Sequence, residues 1–122
     1  MPAGFRPPVR MAGRWIRHEP LELRHARALA RLGARPEIWR FLSYGPFLDL
    51  SSMEGHVEDL LHRQEGGTDL PFAMVRQSDG VPVGMTRFLN IERPNESAEI
   101  GGTWFDPTYW RGPYNTESKR LM

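Results

Sequence analysis

Between residues 71 and 105, short apolar runs are cut apart by turn-forming residues, and this pattern limits the fold more than any other feature of the chain. Phe72-Ala73-Met74-Val75 is closed by the turn signal Ser78-Asp79-Gly80. A second extended run covers 83–91 and meets Pro94-Asn95, a second turn signal. A third run covers Ser97–Phe105. Runs this short, joined by tight turns, predict a three-stranded antiparallel meander. Period-two alternation sets Ala98, Ile100, Gly102 and Trp104 on one side of the third strand. It sets Glu99, Gly101, Thr103 and Phe105 on the other.

The residues before the meander read as one more strand and a set of helices. Trp15, Arg17 and Glu19 alternate with Ile16 and His18 until Pro20 ends the run. Residues 21–32 predict a helix with Leu23, Ala26, Leu29 or Ala30, and Gly33 on one face, and Gly33 as its stop. Arg24, Arg27, Arg31 and Arg35 form a polar stripe that suits either a solvated face or an anion. Pro36 opens a short helix through Leu42, and Ser43-Tyr44-Gly45-Pro46 is a loop. Ser51 with Glu54 forms a capping-box pattern. Met53, Val57, Leu60 and Leu61 give the helix that follows an apolar stripe, and Gly66-Gly67 ends it. Residues 1–13 hold Pro2, Pro7 and Pro8 without periodicity and read as an irregular arm. Residues 14–122 then make a single domain, and Gly 12 with Pro 11 suits its many turns.

Charge and composition remove several classes. Lys plus Arg total 16 against 15 for Asp plus Glu, so the net charge of +1 lacks the basic excess of a dedicated nucleic-acid binder. No apolar run approaches a membrane span, and no apolar signal core accompanies Arg6, Arg10, Arg14 and Arg17. Cytoplasm is the expected setting. With Cys at 0 there is no thiolate nucleophile, and His56 and His62, six apart, do not share a helix face, so no metal site is expected.

Asp106-Pro107 breaks the third strand. A loop runs through Trp110, Arg111 and Gly112, and Asn115 is the expected N-cap of a helix running to Met122. A strand, a Gly-containing turn and a helix start present free backbone N–H groups and a positive dipole end to an anion, and Arg111 adds a bidentate donor. The same residues also suit a plain connection, with Tyr109 and Trp110 packed over the core edge.

Four runs together resemble a known family: Gly13-Arg14-Trp15-Ile16-Arg17-His18-Glu19-Pro20-Leu21, Pro36-Glu37-Ile38-Trp39-Arg40-Phe41-Leu42, Glu99-Ile100-Gly101-Gly102-Thr103-Trp104, and Tyr109-Trp110-Arg111-Gly112-Pro113-Tyr114-Asn115-Thr116-Glu117-Ser118-Lys119. They are similar to the GNAT superfamily of acetyl-CoA-dependent N-acetyltransferases, in the RimJ/RimL-like branch. The resemblance implies an α/β fold. An N-terminal strand and helices pack on a GNAT-like mixed sheet with an antiparallel β-meander, and an incomplete cofactor-binding helix follows. Residues 14–122 would be the N-terminal two-thirds of such a domain, truncated before the strand that forms the other cleft wall.

The resemblance also implies a cofactor, acetyl-CoA. Thr103, Trp104 and Phe105 would pair with its pantetheine arm, and Arg111, Gly112, Tyr114, Asn115 and Thr116 would hold its pyrophosphate. Trp110, Pro113 and Asn115 depart from the family's loop pattern, and Pro113 has no N–H to give. The implied reaction is acetyl transfer to a primary amine, on a protein N-terminus or a small molecule. A base takes the amine's proton, and Glu99 is the acid on the strand placed to do so. Glu99 is equally an exposed strand residue pairing with an Arg such as Arg87. The alternative function is a non-catalytic remnant or self-associating module. An open edge along Ser97–Phe105 makes a homo-oligomer the expected assembly.

Overall fold

In the computed structural model, residues 11–40, 42, 45–92, 97–109 and 112–122 are described. The expected turn at Pro94-Asn95, residues 1–10 of the arm, Ser43-Tyr44, and Trp110 and Arg111 of the last loop lie outside them. The elements run β1 (Ile16–Pro20), α1 (Ala26–Gly33), α2 (Leu50–Glu65), β2 (Leu70–Arg76), β3 (Pro82–Glu92), β4 (Ser97–Phe105) and α3 (Pro113–Leu121). The sheet order is β1-β2-β3-β4, and every pairing among the described residues is antiparallel.

Alternation along β2 divides the sheet's two faces. Ala73 and Val75 turn toward α1 and α2. There they join Leu29, Met53, Val57, Leu60, Met85 and Trp104 in the largest core cluster. Phe72 and Met74 turn to the opposite face. Phe72 meets Phe88 in one cluster with Met122 against it, and Met74 meets Ile16, Val83 and Phe105 in another with Tyr114 and Leu121 against it. The sheet is therefore covered on both faces, by α1 and α2 on one and by α3 on the other.

Four local expectations change. The short helix expected from Pro36 through Leu42 is a 3-10 turn at Pro36–Ile38. The helix expected over 21–32 is a 3-10 turn at Leu23–His25 followed by α1, because His25 Nδ1 accepts the Glu22 N–H at 2.9 Å and holds the tighter turn. Gly33 is the last residue of α1, and Ala34 is its C-cap. The cap of α2 is Asp49, two residues before Ser51. Asp49 is extended, its carboxylate accepts the Ser52 N–H at 2.8 Å, and Ser52 Oγ accepts the Asp49 N–H at 3.3 Å. Met53, Val57 and Leu60 are buried as the stripe predicts.

Candidate functional site

The site grows from an irregularity in β4. Met85 pairs with Trp104 and Arg87 with Gly101, so two steps along β3 oppose three along β4. This bulge sits at Gly102, whose φ of +57 suits glycine. A Cβ there would lie 3.0 Å from Arg87 Cζ. The extra residue shifts the alternation. Trp104 points to the α1–α2 face with Met85, whereas Thr103 and Phe105 point to the α3 face. Unbroken alternation had paired Gly102 with Trp104 and Glu99 with Phe105. The bulge instead puts Glu99, Gly101 and Trp104 on one side.

Each strand residue then has a defined role in packing. Trp104 is buried against Trp39, with ring centroids 4.9 Å apart, and its Nε1 has no partner among the described residues. Thr103 Oγ1 and Thr86 Oγ1 share a hydrogen bond of 2.8 Å. Phe105 is buried under α3. These side chains fix the strand, which leaves the outer backbone edge of β4 without a partner strand among the described residues.

After β4 the chain is turned by Asp106. Its Oδ1 accepts the Thr108 N–H at 2.9 Å, capping the 3-10 turn Pro107–Tyr109, and accepts from Arg35 Nη1 at 2.8 Å. The loop is thereby tied to the segment just after α1. Helix α3 then opens at Gly112 rather than at the expected Asn115. Gly112 has a φ of +107, and Pro113 takes the first helical position. Proline's fixed φ suits that position, and its missing N–H is one the helix would leave unpaired anyway. A Cβ on Gly112 would meet nothing within 4 Å among the described residues. The N–H groups of Gly112, Tyr114 and Asn115 precede the helix's own ladder, while that of Thr116 is the first within it. Arg111, expected to add a cation, lies outside the described residues.

Glu99 stands toward the other end of β4, opposite Leu89. It is exposed and accepts from Asn90 Nδ2 at 3.0 Å. Its expected ion pair with Arg87 is not formed. Arg87 reaches the buried Asp69 instead, with Nε 3.2 Å from Oδ2 and off the line of a hydrogen bond. Six residues separate Glu99 from Phe105, about 20 Å at strand rise. The candidate base and the open helix end therefore belong to opposite ends of one strand.

A family model described as an acetyltransferase (GNAT) domain matches residues 16–122. The chain belongs to the GNAT acetyltransferase family. Its fold is similar to that of a candidate acetyltransferase from T. thermophilus, at 29% identity and a TM-score of 0.75, with 96% of this chain and 59% of that one covered. A GCN5-related N-acetyltransferase from Brucella melitensis aligns at 23% identity and a TM-score of 0.79, covering 91% and 51%. RimL, a ribosomal L7/L12 alpha-N-protein acetyltransferase solved in complex with coenzyme A, aligns at 18% identity and a TM-score of 0.76, covering 93% and 64%. This GNAT chain thus spans between 51% and 64% of the length of these neighbours. No curated protein matches it. No helix among the described residues is long and apolar enough to cross a membrane.

Three contacts in this GNAT domain had no visible signal in the sequence. Asp106 with Arg35 joins positions 71 apart, Glu117 takes backbone N–H groups about a hundred residues away, and His18 meets Ser118. The alternation in β1 set His18 on the same side as Ile16, but nothing marked its partner.

Proposed function

We propose that this chain binds acetyl-CoA along β4 and at the start of α3, and that it serves N-acetyl transfer to a primary amine. The observation that carries the reading is that β4, whose outer edge has no partner strand among the described residues, is followed by the Asp106 turn and then by a helix that starts on Gly112 and Pro113. The residues suit the cofactor. Its extended amide-bearing arm can pair with a strand edge that has no partner strand among the described residues, and its phosphates suit the positive end of the α3 dipole beside Gly112, which admits close approach. When bound, the cofactor supplies an acetyl thioester.

The chain's own residues do the remaining work. The β4 backbone at Thr103, Trp104 and Phe105 orients the arm, and Gly112, Tyr114 and Asn115 hold the charged end. Arg111 is the proposed cationic donor beside them. Glu99, exposed and one strand length away, takes the proton from the attacking amine, directly or through water. The acceptor is an amine on a protein N-terminus or a small molecule, and the setting is the cytoplasm.

Incubating the chain with acetyl-CoA and an amine, and following thiol release, tests the reading. Glu99→Gln is expected to lower turnover by about 10²–10⁴-fold and leave acetyl-CoA affinity in place. Turnover unchanged across the pH range would remove Glu99 from the reaction. The β4 edge, with Ile100 42% exposed, also supports pairing of two copies of the chain. Light scattering would show a dimer of 14.1 kDa chains, and a sharp monomer would exclude it.

A further inference from the structure

Helix α3 has nine residues, a length that is marginal in water on its own, so its position comes from what it docks against. Its strongest polar contact is made by Glu117. Glu117 Oε1 accepts the N–H groups of Trp15 at 2.7 Å and Ile16 at 2.8 Å, and Oε2 accepts that of Arg14 at 3.1 Å. Three consecutive backbone donors converge on one carboxylate, and each bond is charge-assisted. A Cβ on Gly13 would lie 2.5 Å from Glu117 Cδ, so the chain closes around the carboxylate as tightly as glycine permits. The next residue adds a second tie, with the Ser118 carbonyl 3.1 Å and Ser118 Oγ 3.2 Å from His18 Nε2.

We infer that Glu117 is a positioning residue, which fixes α3 on the start of β1 and so sets where the first turn of α3 stands. This rests on the cofactor reading above. The anchor lies five residues from Gly112, about 7.5 Å along the helix axis. A lever that short passes any slip at the carboxylate directly to the helix end. The apolar contacts of Tyr114 and Leu121 hold α3 against the sheet but resist sliding weakly, because dispersion has no preferred direction. The carboxylate with three aimed donors supplies the missing register.

The test compares the full chain with Glu117→Ala, Glu117→Gln and, as a destabilised control, Leu61→Ala on α2. Amide exchange is followed at Trp15, Ile16, Thr116 and Ser118, and coenzyme A affinity is measured by calorimetry. Glu117→Ala is expected to speed exchange at these amides at least tenfold and to weaken coenzyme A at least tenfold. Glu117→Gln keeps an amide oxygen for Trp15 and Ile16 and is expected to fall between Ala and the parent in both. Leu61→Ala should leave both unchanged. Parent-like exchange in Glu117→Ala overturns the inference, as does an equal loss of affinity in Glu117→Ala and Leu61→Ala. If Glu117→Ala does not fold, Glu117→Gln carries the same comparison with the control. If the parent chain itself binds no coenzyme A, the functional reading fails, and exchange at Thr116 and Ser118 still decides the role of Glu117.

Discussion

The two faces of the sheet are held by different physics. On the α1–α2 face, Leu29, Met53, Val57 and Trp104 interdigitate in an apolar cluster with almost no polar atoms. The one indole donor that is satisfied there, Trp39 Nε1, bonds the Gly33 carbonyl at 2.8 Å. On the α3 face the apolar contacts are fewer, and register comes from aimed polar bonds: Glu117 to three amides, His18 to Ser118 and Thr86 to Thr103. The first face supplies stability that does not depend on direction. The second supplies position, and it does so with groups that respond to charge.

Breaking the apolar face should have the largest effect. Leu29 is fully buried, so Leu29→Ala is expected to cost about 2–5 kcal/mol in a urea melt. In whatever fraction stays folded, Trp15 and Ile16 amide protection should survive, because α1 and the Glu117 clamp pack on opposite faces of the sheet. Loss of that protection at native-state conditions would show that the faces are not separable.

Acidification addresses both faces at once. Burial pushes the His56 imidazole down to about 4, helped by the Arg87 cation, where the ring stacks on Phe47. Burial also lowers His18 below its ordinary 6.5, against the Ser118 hydrogen bond and the Glu117 charge, which raise it. A lowered folded value means that the unfolded chain binds the proton first. The contribution is complete above about pH 6.5 and is lost as pH falls, toward about 4 for His56. Each group adds at most about 1.4 kcal/mol per pH unit inside its window. Urea melts at falling pH should show this slope, and His56→Phe should flatten part of it. An unchanged slope in His56→Phe would place the titration on the α3 face.

Gly102→Ala sharpens the comparison at the bulge. The positive φ alone costs about 1–2 kcal/mol, and Arg87 must give way as well. A neutral result would mean that β4 can lose its bulge. The smallest effect is expected at the exposed Arg63–Asp59 pair on α2, where Asp59→Ala should change stability by less than about 0.5 kcal/mol. A larger loss would give the helix face an electrostatic component that its core does not show.

What the sequence made legible follows the same division. The meander and the stripe Met53, Val57, Leu60 were readable because burial repeats with a period, and periods survive in one dimension. Ser97–Phe105 matched the expected strand to the residue, yet its faces did not, because a bulge changes register without changing composition. Gly112 and Pro113 were visible in the loop, but Asn115 is a commoner cap and drew the helix start three residues too late. The contacts of Glu117 with Arg14, Trp15 and Ile16 use backbone donors, which every residue but proline has, so no residue type announces them. Glu99 was readable as an acid on the third strand of the meander, while its Asn90 partner depends on the register of β3 against β4.

The central claim is that one ligand path runs along the end of β4 and over the start of α3. Titrating coenzyme A into the labelled chain and following backbone amide shifts tests it most directly. Shifts are expected to cluster at residues 103–105 and 112–116, with the strongest at Gly112 and Tyr114. Shifts confined to residues 21–65, or none at saturating coenzyme A, would contradict it.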